Sequence, residues 1–175
     1  MTFLPAISLP LLAILFYEDQ KYRAVSWIIF PILAVEFIAY SIITVGLIDM
    51  LYNSFYNIVF LVFQLLLITL YFSVKEKKIV LITKDYLGIG DILFLICLAF
   101  LFSPLNFIVF YFGSLFIILA GILLYILLKR DYKPQLPLAG FQSLILTALI
   151  ITNSISGNAF KFHADTQLAT YILGS

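Results

Sequence analysis

Two aspartates, Asp19 and Asp91, are candidate catalytic residues because their carboxyl groups lie at the ends of apolar segments. Asp91 follows Gly88-Ile89-Gly90 and precedes a strongly apolar stretch. Because the two glycines have no side chains, a backbone or a substrate can come close to the Asp91 carboxylate. A helix start also favours a negative charge. From these four residues alone, a helix-capping aspartate preceded by flexible glycines is an equally good interpretation.

Asp19 changes the balance between these interpretations. It ends the first apolar helix, just before Lys21 and Arg23. If the two helix ends meet, the carboxylates share a proton, because both cannot ionise easily at short range. One then acts as general base on a water while the other donates to a substrate carbonyl, which is aspartic-protease chemistry. The alternative is that Asp19 simply pairs with Lys21 or Arg23 at the membrane interface.

The composition sets the environment in which these acids must work. Of the 175 residues, 64% are apolar and 11% are charged, against a charged fraction of about 25% in soluble domains. One small core cannot hide so much apolar surface, so lipid is the expected solvent and partner. A net charge of +1 argues against nucleic acid. A single cysteine, Cys97, and a single histidine, His163, predict neither a disulfide framework nor a metal site, and no cofactor is expected.

The apolar runs predict an all-α, polytopic membrane bundle of about six transmembrane helices. The first run is Thr2 to Tyr17, which lacks the basic leading segment of a signal peptide. The runs 24–74 and 87–128 are each too long for one span, so each is divided in two. A sixth helix is expected from about Leu136 to Ile155. We predict the two dividing turns where polar residues or proline interrupt the pattern, namely at Asp49, Asn53, Ser54 and Asn57, and at Ser103-Pro104-Leu105-Asn106.

Basic residues orient this bundle, because Lys and Arg are retained in cytoplasmic loops. Nine of the ten fall after the first, third or fifth helix, and only Lys161 falls on the other side. Both termini are therefore expected outside, with residues 1–156 forming the bundle and 157–175 an extracytoplasmic tail. The nine residues are Lys21, Arg23, Lys75, Lys77, Lys78, Lys84, Lys129, Arg130 and Lys133.

The other ionisable residues have plainer interpretations. Glu36 lies near the middle of the second helix, where we favour a structural role, with Gln64 as a possible partner, over a catalytic one. His163 is interpreted as an isolated outer residue without a special function. Loop, turn or tail positions account for the remaining acids, which are Glu18, Asp49, Glu76, Asp85, Asp131 and Asp165.

Taken together, Gly88-Ile89-Gly90-Asp91 at a helix start and an earlier Asp19 with Lys21 and Arg23 resemble the type IV prepilin peptidases and their archaeal preflagellin relatives. These are membrane aspartyl proteases of the Gly-x-Gly-Asp kind. A weaker likeness is Lys133-Pro134-Gln135-Leu136-Pro137 before the sixth helix. The resemblance covers most of the chain and implies that Asp19 and Asp91 are the catalytic pair, supported by Gly88 and Gly90.

The resemblance also implies a substrate and a place of action. The substrate is a prepilin-like precursor with a short charged leader followed by an apolar helix. It is cut after the leader, typically at a glycine, at the cytoplasmic face of the inner membrane. Bacterial members also carry a zinc-binding cysteine motif, and many methylate the new amino terminus. With Cys97 alone, this chain resembles a minimal core form, and methyltransferase activity is not expected.

Two other functions fit part of the pattern. Glu36 and the aspartates could form the path of a small proton- or cation-coupled transporter. The sequence carries no inverted repeat or pair of broken helices of the kind that transporters use. A non-catalytic assembly factor of a pilus or secretion system is the third possibility, and it predicts that function is indifferent to Asp19→Asn.

Overall fold

In a computed structural model that describes residues 3–77, 88–128, 138–155 and 162–163, the chain is all-helical, and these ranges contain no strand. The prediction of an all-α chain is therefore confirmed. The helices are α1 (Phe3–Tyr22), α2 (Ile29–Val45), α3 (Leu47–Glu76), α4 (Ile89–Leu101), α5 (Pro104–Leu128) and α6 (Leu138–Ile155).

Successive helices alternate in direction, so each end of the bundle collects a defined set of helix termini. α1 packs most extensively against α6, and α2 against α4. The end of α1 therefore lies with the starts of α4 and α6. This end of the bundle carries Asp19 and Asp91, and we call it the dyad end. The core between the ends is mainly apolar and contains fully buried side chains such as Leu12, Leu33, Phe37, Phe94 and Leu98.

Three helices, α3, α5 and α6, are long and apolar enough to cross a membrane, while α2 and α4 are apolar but shorter. The surface of α3 is mostly apolar, with Phe63, Leu66 and Val74 each more than half exposed. Such a surface suits lipid contact, because a helix satisfies its own backbone hydrogen bonds. The basic residues of the described ranges, Lys21, Arg23, Lys75 and Lys77, follow or end α1 and α3 and share the dyad end.

The first dividing turn lies elsewhere than the sequence predicts. The break is at Gly46, whose φ of 90° suits a residue without a side chain. The predicted turn residues, Asp49 to Asn57, instead form the first turns of α3. Asn57 explains why polar residues occur there. It is buried, and its amide donates to the carbonyls of Ala99 (3.0 Å) and Phe102 (2.7 Å) at the end of α4.

We expect Asn57→Ala to lower the free energy of unfolding by about 2 kcal/mol, because it leaves buried helix-end carbonyls without a donor. Thermal unfolding of the purified protein in detergent measures the effect. Asn53→Ala is the matched control one turn away, since the Asn53 amide nitrogen is buried without a hydrogen-bond partner among the described residues. Equal destabilisation by the two changes would contradict this role for Asn57.

The second dividing turn is confirmed at Ser103-Pro104, where α4 ends and Pro104 begins α5. Proline suits the first helical position, since its missing N–H would have had no partner there. This turn also receives part of the predicted tail. The carbonyl of Phe162 accepts hydrogen bonds from the Ser103 backbone and the Asn106 amide, each at 3.0 Å, and its ring contacts that of Phe102.

His163 is not the isolated outer residue that the sequence predicts. It is buried beside α2, stacked on Tyr40 with ring centroids 6.5 Å apart. Its Nε2 lies 3.3 Å from the Ser41 hydroxyl, which itself donates to the Phe100 carbonyl. Phe162 and His163 therefore belong to the packed core at the end of the bundle opposite the dyad end.

Candidate active site

Asp19 is placed by the last turn of α1. The backbone N–H of Arg23 donates to the Asp19 carbonyl (3.1 Å), and Arg23 adopts a left-handed conformation with φ of 53° that ends the helix. The Asp19 side chain turns inward and is only 7% exposed. A buried carboxyl group needs a hydrogen-bond donor, and this one finds it on another helix.

Asp91 is placed by the first turn of α4. It is the third helical residue, and its Oδ2 accepts a hydrogen bond from the backbone N–H of Gly88 at 3.2 Å. A carboxylate at this position satisfies a helix-start N–H and interacts favourably with the helix dipole. The side chain is partly buried. The remaining oxygen, Oδ1, points away from this local contact.

The first turn of α6 joins the two aspartates. The backbone N–H of Ala139 donates to Oδ1 of Asp91 (2.7 Å), and the next N–H, that of Gly140, donates to Oδ2 of Asp19 (2.5 Å). Successive backbone nitrogens are less than about 4 Å apart. Both carboxyl groups are therefore held side by side at the dyad end, and we call Asp19 and Asp91 the dyad.

The electrostatics of the dyad follow from this arrangement. The two carboxyl groups are close enough for the charge of Asp19 to act on Asp91. Burial raises the pKa of Asp19 above its ordinary value, and the N–H of Gly140 offsets part of that rise. Two such groups titrate as a pair, and the form that carries one proton is favoured over full ionisation. The dyad thus offers one acid and one base within a single site.

The two motif glycines contribute differently. A side chain at Gly88 would place its first carbon 3.2 Å from Oδ2 of Asp91, which is tighter than ordinary contact. At Gly90 the same carbon would lie 3.7 Å from the Phe30 ring, in ordinary van der Waals contact. Gly88 therefore permits the close approach to the carboxylate that the sequence predicts for both glycines, whereas at Gly90 there is room for a methyl group.

Lys21 and Arg23 stay at the surface of the dyad end. The ammonium of Lys21 donates to the Tyr17 hydroxyl (2.8 Å) and lies over the rings of Tyr17 and Tyr22 at 5.2 and 5.0 Å. The alternative in which Lys21 neutralises Asp19 is therefore not the arrangement observed. Arg23 is exposed, and its backbone conformation ends α1.

Glu18 provides a comparison with its neighbour Asp19. Its two oxygens accept hydrogen bonds from the backbone N–H (2.7 Å) and the hydroxyl (2.9 Å) of Ser26. The side chain thereby ties the end of α1 to the connection before α2. Glu18 lies within α1 and not in a loop, its contact with Ser26 is structural, and Asp19 is the acid that faces the core.

Glu36 is buried in α2, away from the dyad end. Among the described residues neither of its carboxyl oxygens has a hydrogen-bond partner, although the backbone of Ser8 in α1 is close enough to interact with it electrostatically. Gln64, its suggested partner, instead donates to the Tyr111 hydroxyl at 2.6 Å. The suggested pairing of Glu36 with Gln64 is therefore wrong.

Within the described ranges, no group of three His, Cys, Asp or Glu side chains is arranged to hold a metal ion.

Several sequence predictions fall outside the described residues. The predictions that fall outside the ranges concern Lys78, Lys84, Asp85, Lys129, Arg130, Asp131, Lys161, Asp165 and the segment from Lys133 to Pro137.

Sequence reasoning missed the contribution of Ala139 and Gly140. They act through backbone N–H groups, which leave no side-chain signature. The one available signal was the pair of small residues at the start of the sixth apolar run, since small residues allow close approach between helices in membranes.

No family model, no curated protein and no solved structure matches this chain.

Proposed function

We propose that this chain is a membrane aspartic endopeptidase in which Asp19 and Asp91 activate water. The observation that carries the proposal is the binding of both carboxyl groups by successive N–H groups at the start of α6. Two acids from distant parts of the chain have no structural reason to be buried together, because like charges repel and each loses hydration. Such an arrangement is typical of acid-base sites.

The chemistry uses one proton shared by the dyad. The ionised carboxylate removes a proton from water, whose oxygen attacks the peptide carbonyl carbon. The protonated partner gives its proton to the carbonyl oxygen, which produces a tetrahedral gem-diol. As the C–N bond breaks, a proton passes from the dyad to the amine nitrogen and a gem-diol proton returns to the dyad. The dyad ends with one proton, as it began.

The proposed substrate and orientation follow from the family resemblance and the charge pattern. The substrate is a prepilin-like precursor with a charged leader and an apolar helix. The bundle has six spans with both termini outside, which puts the dyad at the cytoplasmic face of the inner membrane. The sharing of one bundle end by the dyad and the described basic residues supports this orientation.

We expect cleavage to depend on pH in a bell-shaped manner. Burial raises the pKa of Asp19, so the singly protonated dyad persists to higher pH than a pair of exposed aspartates would. Activity should fall at high pH, where the dyad loses its last proton, and at low pH, where it gains a second one. Initial rates across pH 3 to about 9 measure this. A rate that keeps rising with pH above neutrality would contradict a shared proton.

The test of the function is amino-terminal proteomics of cell membranes that contain either the intact chain or Asp91→Asn at equal expression. Precursors that retain a short leader only in the variant would establish the peptidase and identify its substrates. Asp49→Asn, which changes an exposed acid in the first turn of α3, is the matched control. Identical terminus profiles for the intact chain and Asp91→Asn would overturn the proposal.

A further inference from the structure

We propose that Gly140 is a positioning residue for Asp19. The dyad requires a backbone N–H donor at this position and has no room there for a side chain. This inference rests on the proposed function. It concerns the geometry of Asp19, whereas the proposed function concerns the chemistry that the dyad performs.

The space around Gly140 leaves no room for a side chain. A methyl group at this position would lie 2.8 Å from Oδ2, 3.2 Å from Cβ and 3.4 Å from Cγ of Asp19. The conflict involves the stem of the aspartate as well as its tip. A rotation of the carboxyl group alone cannot relieve it, so the Asp19 side chain or the α1–α6 packing must shift. Asp19 is buried in this contact and has little room to move.

Hydrogen bonds hold the backbone of Gly140 in place. Its N–H belongs to the first turn of α6 and has no partner within the helix, so it is available to Asp19. Its carbonyl accepts a hydrogen bond from the Ser143 hydroxyl at 2.7 Å, and Ser143 is fully buried. The peptide groups around Gly140 are thus held on both sides. The donor is fixed in place before any substrate binds, as a preorganised site requires.

The neighbouring contact shows why this requirement is specific to Gly140. Ala139 binds Asp91 in the same way and carries a methyl group. Asp91 also has a second backbone donor, Gly88. The Asp19 carboxyl group accepts its hydrogen bond from Gly140, whereas the Asp91 carboxyl group has two backbone donors. The loss of Gly140 therefore affects Asp19 more than the loss of Ala139 would affect Asp91.

The experiment compares Gly140→Ala with Gly113→Ala and Gly121→Ala. Both control glycines lie in α5, and a methyl group at either meets no atom within 4 Å. Each purified variant in detergent is titrated while the carboxyl C=O stretch is followed by infrared difference spectroscopy. Cleavage is measured with a quenched-fluorescent peptide that contains a lysine-rich leader, a glycine and an apolar segment.

For Gly140→Ala we expect kcat to fall about 100-fold with little change in KM, because a displacement of about 1 Å in a catalytic group has an effect of this size. The infrared titration and the pH profile of kcat should both move to higher pH, since the Asp19 carboxylate loses a hydrogen bond that favours its charged form. The two α5 variants should match the unaltered protein in every measurement. A structural role for Gly140 alone would lower the thermal stability but leave the pH profile in place.

A second replacement keeps the inference testable if Gly140→Ala does not fold. Glycolic acid, introduced at position 140 by cell-free translation, replaces the backbone N–H with an ester oxygen and adds no side chain. It should shift the infrared titration in the same direction. The inference fails if both replacements titrate and cleave as the unaltered protein does. If Asp19→Asn and Asp91→Asn abolish cleavage in that case, the proposed function stands without it. Cleavage that survives both asparagine changes overturns the function itself.

Discussion

Replacing Asp19 or Asp91 with asparagine is expected to lower the cleavage rate by at least about 1,000-fold, because an amide can neither remove a proton from water nor hold the shared proton. The fold should persist, since the Asn carbonyl oxygen can still accept the hydrogen bond from Gly140 or Ala139. Initial cleavage rates of the purified variants measure the loss. The double variant should be no slower than either single variant, because the two groups act as a unit.

Glu18→Gln is the matched control for this prediction. It changes the acid next to Asp19, whose partner is Ser26 in the connection after α1. We expect its cleavage rate to stay within a few-fold of the unaltered rate. If Asp19→Asn and Glu18→Gln had equal effects, the assignment of Asp19 to the dyad would fail. If function in cells were indifferent to Asp19→Asn, the assembly-factor interpretation would be favoured.

Glu36→Leu is expected to raise the free energy of unfolding by about 3 kcal/mol while leaving cleavage intact. Its carboxyl group is buried in the core with the Ser8 backbone as a polar neighbour, and the burial of a carboxyl group is costly in either protonation state. Leucine has a similar volume and removes that cost. Thermal unfolding in detergent measures the change, and Glu36→Gln, which keeps a buried polar group, should give no such gain.

The same variant separates the peptidase from the transporter. Leu12 and Leu15 lie on the face of α1 between Ser8 and Asp19, and both are fully buried. The face of α1 between Ser8 and Asp19 therefore presents apolar side chains to the core. If the unaltered protein carried a pH-dependent flux in liposomes that Glu36→Leu abolished, the structural role assigned to Glu36 would be wrong. If the unaltered protein also showed no cleavage, the transporter would replace the peptidase.

Much of the architecture was predictable because its causes lie in single residues. Proline at position 104 cannot donate within a helix, so the division between α4 and α5 follows from the sequence alone. The polar residues near Asn57 could not be interpreted in this way. In isolation they resemble a turn, and their role becomes clear only when the end of α4 lies beside them. The real break depends on the backbone of Gly46.

The candidate site, like the fold, was predictable only in part. Asp19 and Asp91 were predicted as a pair because carboxyl groups in an apolar chain demand an explanation. Their common partner was not predictable, since Ala139 and Gly140 contribute main-chain N–H groups that every residue except proline possesses. His163 shows the same limit. Its burial depends on its packing against α2, which no local pattern in the sequence indicates.

The order of the helices has a consequence for synthesis of the protein. The dyad takes one acid from α1, the other from α4 and its shared donors from α6, the last helix described. A ribosome-bound chain that has emerged only through α4 carries both acids without these donors. Such a chain lacks the contacts that hold the acids side by side. Under the proposed function, a nascent chain therefore acquires the arrangement needed for cleavage only when α6 packs against α1.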